Sequence, residues 1–412
     1  MNYKKVLNKK ITDLKREGRY REFICLERQI ELSPRASNLN NNSDQVTVWC
    51  SNDYLSSSHR KEVVEAMTEA TTVFGTGAGG TRNISGTSSE IVKLESTIAS
   101  HLNRDAALVL SSGYVANECA ISTLGKIFED LVIFSDEENH ASIIQGINLG
   151  RIQKQIYRHI DTEHLESLLS SFPYDQPKLI VFESVYSMSG DFSPLEKIIE
   201  LADKYNALTY IDETHSYGLY GESGAGYAEQ QDVVSKIDII QGGLGKAIGT
   251  FGGFIAGDID LIDCIRSYGA GFIFTTALPP SLAAAARVSI EQLRDDATIR
   301  EKFFAIVEQT KIELEKEELP FIKTTSHIIP LIVGDASFCK YLSDKLLAEY
   351  QIYLQPINYP TVPRGTERFR ITPNFCHSVL DARLLATSLR TLFEKERLIN
   401  AAKVANLLSV SH

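Results

Sequence analysis

No run in the 412-residue chain approaches the roughly 20 apolar residues that span a bilayer. Even PSLAAAARVSIEQL meets charge within one more turn, so no membrane association is expected. Dense Lys/Arg blocks are also missing, and a net charge of −11 with a pI near 5.4 leaves no electrostatic footprint for nucleic acid. Cysteine is sparse: Cys25, Cys50, Cys119, Cys264, Cys339 and Cys376 are scattered, with no C-x-x-C pair and no Cys/His clustering. That pattern removes zinc sites and disulfide frameworks and fits a reducing compartment. The N-terminus, MNYKKVLNKKITDLKREGRYREF, has neither the apolar core of a secretory signal nor the acid-poor character of a transit peptide. A cytoplasmic protein is expected. Internal repeats and low-complexity tracts are absent as well. What is present is ordinary for a folded globular chain, with 43% hydrophobic and 23% charged residues, and its length suits about two to three structural units.

Three regions are read from the patterning. Residues 1–59 form an N-terminal arm, a charged amphipathic helix followed by a connecting segment, with RASNLNNNSD (35–44) as a polar loop before the strand-like VTVWC. Residues 60–285 form a large domain in which the short apolar runs ALVLSSGY, LVIFSD, KLIVFESV, ALTYIDE and IDIIQGG alternate with helical stretches. The alternation predicts an α/β fold with a mostly parallel, buried sheet flanked by helices. One connecting helix is predicted closely: Ser193 caps it, Pro194 takes the first turn, Glu196 completes a capping box, and Leu195, Ile198, Ile199 and Ala202 make its apolar stripe. Residues 286–412 change to long helices, the strand-like runs HIIPLIVG and IYLQPI, and a final helix from about 380, a smaller α+β domain.

Ligands of open α/β sheets bind beyond the carboxyl ends of the strands, so those ends are where chemistry is sought. Ser111, Ser112 and Gly113 separate a strand from a helix starting near Tyr114; backbone N–H groups and small hydroxyls there suit a phosphate. A plain strand-to-helix turn is the bland alternative. His140 follows the next strand, and as a lone residue it reads equally as a surface or core histidine. Asp212 ends LTYID with His215 three residues on, and an acid leaving a buried strand needs a cationic or donor partner. Lys246 lies among three glycines and an alanine, where only a small backbone lets something bulky approach.

Two other glycine readings fail. The nominal G-x-G-x-x-G at Gly75, Gly77 and Gly80 follows the helix-like EVVEAMTEATTVF, whereas a dinucleotide fingerprint needs a strand. The lysine motif is not a P-loop, because Ile240 occupies the first glycine position and Ala247 replaces the magnesium-binding hydroxyl. A phosphate cradle, a ring-stacking candidate, a strand-end carboxylate and an accessible lysine together describe pyridoxal phosphate chemistry: the cofactor is held by its phosphate, stacked, kept electron-poor at its nitrogen and tethered to lysine.

With those residues in view the chain resembles the pyridoxal-phosphate-dependent α-oxoamine synthases over almost its whole length. The resemblance is carried by EGRYREF (17–23), WCSNDYL (49–55), GTGAGGTRNISGT (75–87), FSDEENHASIIQGI (134–147), FESVYSMSGDF (182–192), YIDETHSYGLYG (210–221), GLGKA (243–247), GFIFTTALPP (271–280) and QPINYPTVPRGTERFRITP (355–373). GAGGTRNISGT and INYPTVPRGTER point to the branch that condenses glycine with succinyl-CoA. The resemblance implies a fold-type I transferase, a homodimer with active sites at the subunit interface, and pyridoxal 5'-phosphate as cofactor. It implies that Lys246 tethers the cofactor, Asp212 pairs with the pyridine nitrogen, His140 stacks on the ring, and His215 with Ser187 contacts the phenolic oxygen. Ser112, Gly113 and Tyr114 hold the phosphate with the partner subunit's Thr275 and Thr276. Arg370 binds the glycine carboxylate with Asn52 and Tyr54 nearby. Arg21 and Thr361, with Thr81, Arg82 and Asn83, position the succinyl end. Arg21 is expected as a buried cation that rejects an acyl group lacking a distal carboxylate.

The resemblance also has departures. Gly243 stands where these enzymes usually place a threonine that donates to the cofactor phosphate, which implies one hydrogen bond fewer. Ser56 replaces the glycine that commonly follows NDYL; Thr214, Ser216 and Tyr217 alter the surroundings of the histidine, and Ile248 replaces a commoner aromatic. The alternatives are a related synthase using another acyl-CoA or amino acid, a paralogue serving a secondary pathway, and a non-catalytic homologue. Intact Lys246, Asp212 and His215 count against the last.

Overall fold

The structure, a computed structural model, describes residues 1–41 and 44–395. Its chain divides into two compact units: residues 55–187 with 191–300, and residues 1–54 with 188–190 and the chain from 301 onward.

The first unit is built on a seven-stranded sheet in the order Ala106–Leu110, Gly253–Gly257, Ile239–Gly243, Leu208–Asp212, Lys178–Glu183, Val132–Asp136, Gln153–Tyr157. Gly253–Gly257 runs antiparallel to both neighbours and the remaining pairings are parallel, so six strands point one way and end on one edge. The five apolar runs read from the sequence all lie in this sheet, as expected for strands buried on both faces. Two strands escaped that reading. Gln153–Tyr157 is a mostly polar edge strand, and Gly253–Gly257 is a short glycine-bounded run with no room for longer side chains at its start. A methyl group on Gly253 would lie 2.4 Å from the Gly113 nitrogen. Its bare backbone is what lets the helix Gly113–Ile127 begin so close to the sheet.

The helix Leu195–Tyr205 buries Leu195, Ile198, Ile199 and Ala202 as the stripe predicts. Its capping box does not form. Ser193 is buried and its hydroxyl donates to the Glu183 carbonyl at 2.7 Å, tying the loop to the sheet instead of accepting from the helix.

In the second unit the helix Tyr3–Arg16 is capped by Asn2 and buries none of its residues. The expected polar loop at 35–44 is corrected: Arg35–Asn38 is a strand, paired antiparallel with Asp44–Val48 in a four-stranded sheet. Its polar composition hid it, because only Ala36 and Asn38 turn inward. A three-stranded antiparallel sheet places Arg368–Ile371 between Ile329–Ile332 and Pro356–Ile357. Trp49, Leu314, Leu331, Leu342, Phe369 and Leu385 belong to the apolar core of this unit. The final helix runs Val379–Lys395.

Candidate active site

At the common edge of the parallel strands the first unit encloses a cavity of about 210 Å³. The chain enters it from Ala106–Leu110, where Ser112 caps the helix Gly113–Ile127 by accepting the Val115 N–H on Oγ at 3.1 Å. Ser112, Gly113 and Tyr114 all line the cavity. A helix N-terminus leaves first-turn N–H groups without intrahelical partners, so this wall suits an anion.

Three strands over in the sheet, Asp212 is 5% exposed and each of its carboxylate oxygens accepts a hydrogen bond. Its Oδ2 accepts from Asn117 Nδ2 at 2.7 Å and its Oδ1 from the Thr214 N–H at 2.8 Å. Asn117 in turn accepts from Tyr210 Oη at 2.8 Å and donates to Ser142 Oγ at 2.9 Å. Ser142 Oγ lies 2.7 Å from His140 Nδ1, which also takes the Ser142 N–H at 3.3 Å. Nδ1 is therefore the acceptor and Nε2 carries the proton. Loss of water around the ring lowers the His140 pKa; the Asp212 charge opposes this and the Lys246 charge adds to it. The imidazole is neutral at pH 7, an apolar platform suited to stacking.

Lys246 lies just beyond Ile239–Gly243, and the loop around it is fastened on the next two carbonyls. Buried Ser57 donates to the Ala247 carbonyl at 2.6 Å and buried Ser289 to the Ile248 carbonyl at 2.8 Å. Gly249, at φ +73°, passes so near that a methyl group there would lie 2.3 Å from the Ser58 nitrogen. Ser56, the departure after NDYL, sits in the left-handed region at φ 51°, which explains why glycine suits that position. His215 lines the cavity with Lys246.

The sequence reading missed Asn117, Ser142 and Glu183 and named Thr214 only as a departure beside the histidine; all four line the same cavity. Glu183 is 2% exposed, and its Oε1 has no hydrogen-bond partner among the described residues. Burial, then the neighbouring Asp212 charge, pushes its carboxyl well above the usual range, against the backbone amides of His140 and Ser187. The available signal was its place as the last residue of the strand Lys178–Glu183, in register with Asp212.

Other expected residues fall elsewhere. Ser187 is half-buried and outside the cavity lining. Thr275 and Thr276 do not line the cavity of their own chain; Thr276 instead bridges Thr81. The Thr81 hydroxyl donates to Asn83 Oδ1 at 2.7 Å. Arg82 is committed to a bidentate pair with Glu95, at 2.7 and 2.9 Å, and lies over the Phe272 ring.

In the second unit Arg370 is 8% exposed and oriented at both ends of its fork. Nη1 donates to Asn52 Oδ1 at 2.9 Å and Nη2 to Tyr54 Oη at 2.7 Å. Arg21 corrects the expectation of a buried cation: it is exposed, with Nη2 3.5 Å from Thr361 Oγ1. Both residues line a separate cavity of about 460 Å³.

The donor set of the first cavity fits pyridoxal phosphate. A helix N-terminus meets the phosphate, Asp212 keeps lone pairs for a protonated ring nitrogen, His140 offers a neutral ring, and Lys246 stands on a small-residue loop. Comparison with known proteins agrees. Residues 44–386 match the family "aminotransferase class I and II". The chain is 48% identical to a 5-aminolevulinate synthase of Rickettsia prowazekii, covering 95% of this chain and 94% of the relative. It is 45% identical to that of Paracoccus denitrificans over 98% of this chain and 100% of the relative. A high-resolution structure of serine palmitoyltransferase with its pyridoxal phosphate internal aldimine superposes with a TM-score of 0.86 at 28% identity, covering 96% of each chain. The fold is thus that of the fold-type I pyridoxal phosphate transferases, and the chain belongs to the class I and II aminotransferase family, in the branch of the 5-aminolevulinate synthases.

Proposed function

We propose that this chain condenses glycine with succinyl-CoA to give 5-aminolevulinate, CoA and carbon dioxide, the entry to tetrapyrrole and haem synthesis. The observation that carries this reading is its identity, over nearly the full length, to 5-aminolevulinate synthases. Bound pyridoxal phosphate supplies an electron sink for negative charge at the substrate α-carbon.

The chain's own residues do the rest. Ser112, Gly113 and Tyr114 hold the phosphate end at the helix N-terminus. Asp212, fixed by Asn117 and Thr214, would pair with the ring nitrogen, and His140 would cover one face of the ring. Ser187 and His215 serve the phenolic oxygen. Lys246 Nζ would tether the cofactor and, as a free amine, would take the α-proton. The Arg370 fork, set by Asn52 and Tyr54, binds the glycine carboxylate in two contacts and so fixes the angle of the breaking C–H bond. Thr81 crowds the α-carbon and favours glycine, with Asn83 beside it. Arg21 and Thr361 receive the succinyl carboxylate; Arg82, already paired with Glu95, supports the segment that carries Thr81. The assembly we propose is a cytoplasmic homodimer in which the partner subunit's Thr275 and Thr276 complete the phosphate site. Ile84 at 76% and Phe274 at 80% exposure, flanking these segments, are the apolar surface that a second copy would cover.

The test offers purified protein pyridoxal phosphate and glycine with succinyl-CoA, acetyl-CoA or a long acyl-CoA in turn, and identifies the aminoketone by mass. Preference for succinyl-CoA giving 5-aminolevulinate is expected. Turnover of a neutral acyl-CoA instead sinks the acyl assignment while leaving the cofactor site standing.

A further inference from the structure

We infer that the Thr214 hydroxyl is a phosphate donor of this site, and that Gly243 is glycine because Thr214 occupies the space its side chain would need. The inference deepens the cofactor reading above and rests on it. Thr214 follows the strand end of Asp212, and Gly243 closes the neighbouring strand Ile239–Gly243. A methyl group built on Gly243 would lie 2.8 Å from Thr214 Cγ2 and 3.2 Å from its Oγ1, well inside contact distance. No side chain enters at 243 while Thr214 keeps its place.

The same hydroxyl lies at the phosphate end of the cavity. A methyl group on Gly113, the first residue of the cradle helix, would come 3.6 Å from Thr214 Oγ1. Thr214, Gly113 and Gly243 all line the cavity. Thr214 is held at both ends of its residue: its N–H donates to Asp212 Oδ1 at 2.8 Å and its hydroxyl to Gln241 Oε1 at 3.2 Å. Gln241 is buried, and its Nε2 reaches toward the Gly113 carbonyl at 3.5 Å. A threonine hydroxyl has one proton and two lone pairs. Turned to an anion at the helix N-terminus, it donates its proton there in place of its bond to Gln241 Oε1. A neutral donor directed at a charged acceptor makes one of the stronger hydrogen bonds available to a side chain.

The experiment titrates apoprotein with pyridoxal phosphate and, separately, with pyridoxal, which lacks the phosphate, following the visible absorbance of the lysine adduct. Thr214→Val keeps the shape and removes the hydroxyl. It is expected to weaken pyridoxal phosphate about tenfold or more, the size of one hydrogen bond to a charged group, and to leave pyridoxal unchanged. Thr214→Ser is expected to stay near wild type. Gly243→Thr alone is expected to lose cofactor through the clash, and the double variant Thr214→Ala with Gly243→Thr to regain most of it. Equal weakening of both ligands by Thr214→Val, or no weakening, overturns the inference. So does a double variant no better than Gly243→Thr. A wild-type chain that takes up no pyridoxal phosphate overturns the cofactor reading itself, a separate result from any of these.

Discussion

Glu183 and Asp212 stand opposite one another in register at the ends of adjacent parallel strands, two carboxyl groups lining one cavity. Both cannot be charged cheaply in such a place. Asp212 has two donors, whereas the Glu183 carboxyl is pushed well above the usual range by burial and by the Asp212 charge. Because the native state then binds a proton that the unfolded chain releases, this contribution to stability is complete below the unfolded pKa. It falls as pH rises toward the native value, with a slope of about 1.4 kcal/mol per pH unit. Glu183→Gln removes that slope. Denaturant unfolding of apoprotein between pH 5 and 8 is expected to show the variant gaining on wild type as pH rises; parallel curves would count against a protonated Glu183.

Asn117 joins Asp212 to His140 through Ser142. Asn117→Ala leaves Asp212 one donor short and removes the amide that orients Ser142 Oγ at the His140 ring. A fall in kcat of about 10²-fold is expected, the scale of one lost preorganised polar contact, with a shift in the cofactor absorbance. An unshifted spectrum with unchanged kcat would show that the network is dispensable.

Arg370 presents a fork already aligned by Asn52 and Tyr54. Arg370→Lys keeps the charge but loses the two-point contact, so the glycine KM is expected to rise about tenfold or more. The succinyl-CoA KM should move far less, and steady-state kinetics with each substrate varied in turn decides this.

His159 is 2.9 Å from the fully buried Asp136 and 3.4 Å from Asp191. Burial opposes charging the ring, but the hydrogen bonds to Asp136 and Asp191, with the charges around them, raise its pKa to about 10. The stability it supplies is present in full below the unfolded value of 6.5 and is lost as pH rises through about 10. His159→Asn is expected to destabilise the protein at pH 7 and to flatten the decline above it. Thermal melting across pH 7–10 checks both.

Lys178 is a buried lysine whose ammonium donates to the carbonyls of Pro173, Tyr174 and Gln176 at 2.7, 3.2 and 2.8 Å. Lys178→Met keeps the aliphatic stem and strands three acceptors. A loss of about 1–3 kcal/mol in denaturant unfolding is expected, with no change in cofactor spectrum.

The five strands written as apolar runs, the helix at 195–205 and the positions of Ser112, His140, Asp212 and Lys246 were legible in the chain itself. Burial on both faces writes a strand as a local apolar run, and the residue after such a run marks the edge where ligands bind. Gly253–Gly257, Arg35–Asn38 and the fate of Ser193 were not legible, because each depends on a partner distant in sequence rather than on its own composition. The same holds within the site. Lys246 and Asp212 follow from strand ends, but Asn117, Glu183 and the exclusion of a side chain at Gly243 by Thr214 arise only when four separate strand ends meet. The local pattern determined which residues reach the edge of the sheet; tertiary packing alone decided which oxygens are satisfied there, which carboxyl is pushed toward its neutral form and which hydroxyl stands beside the helix N-terminus.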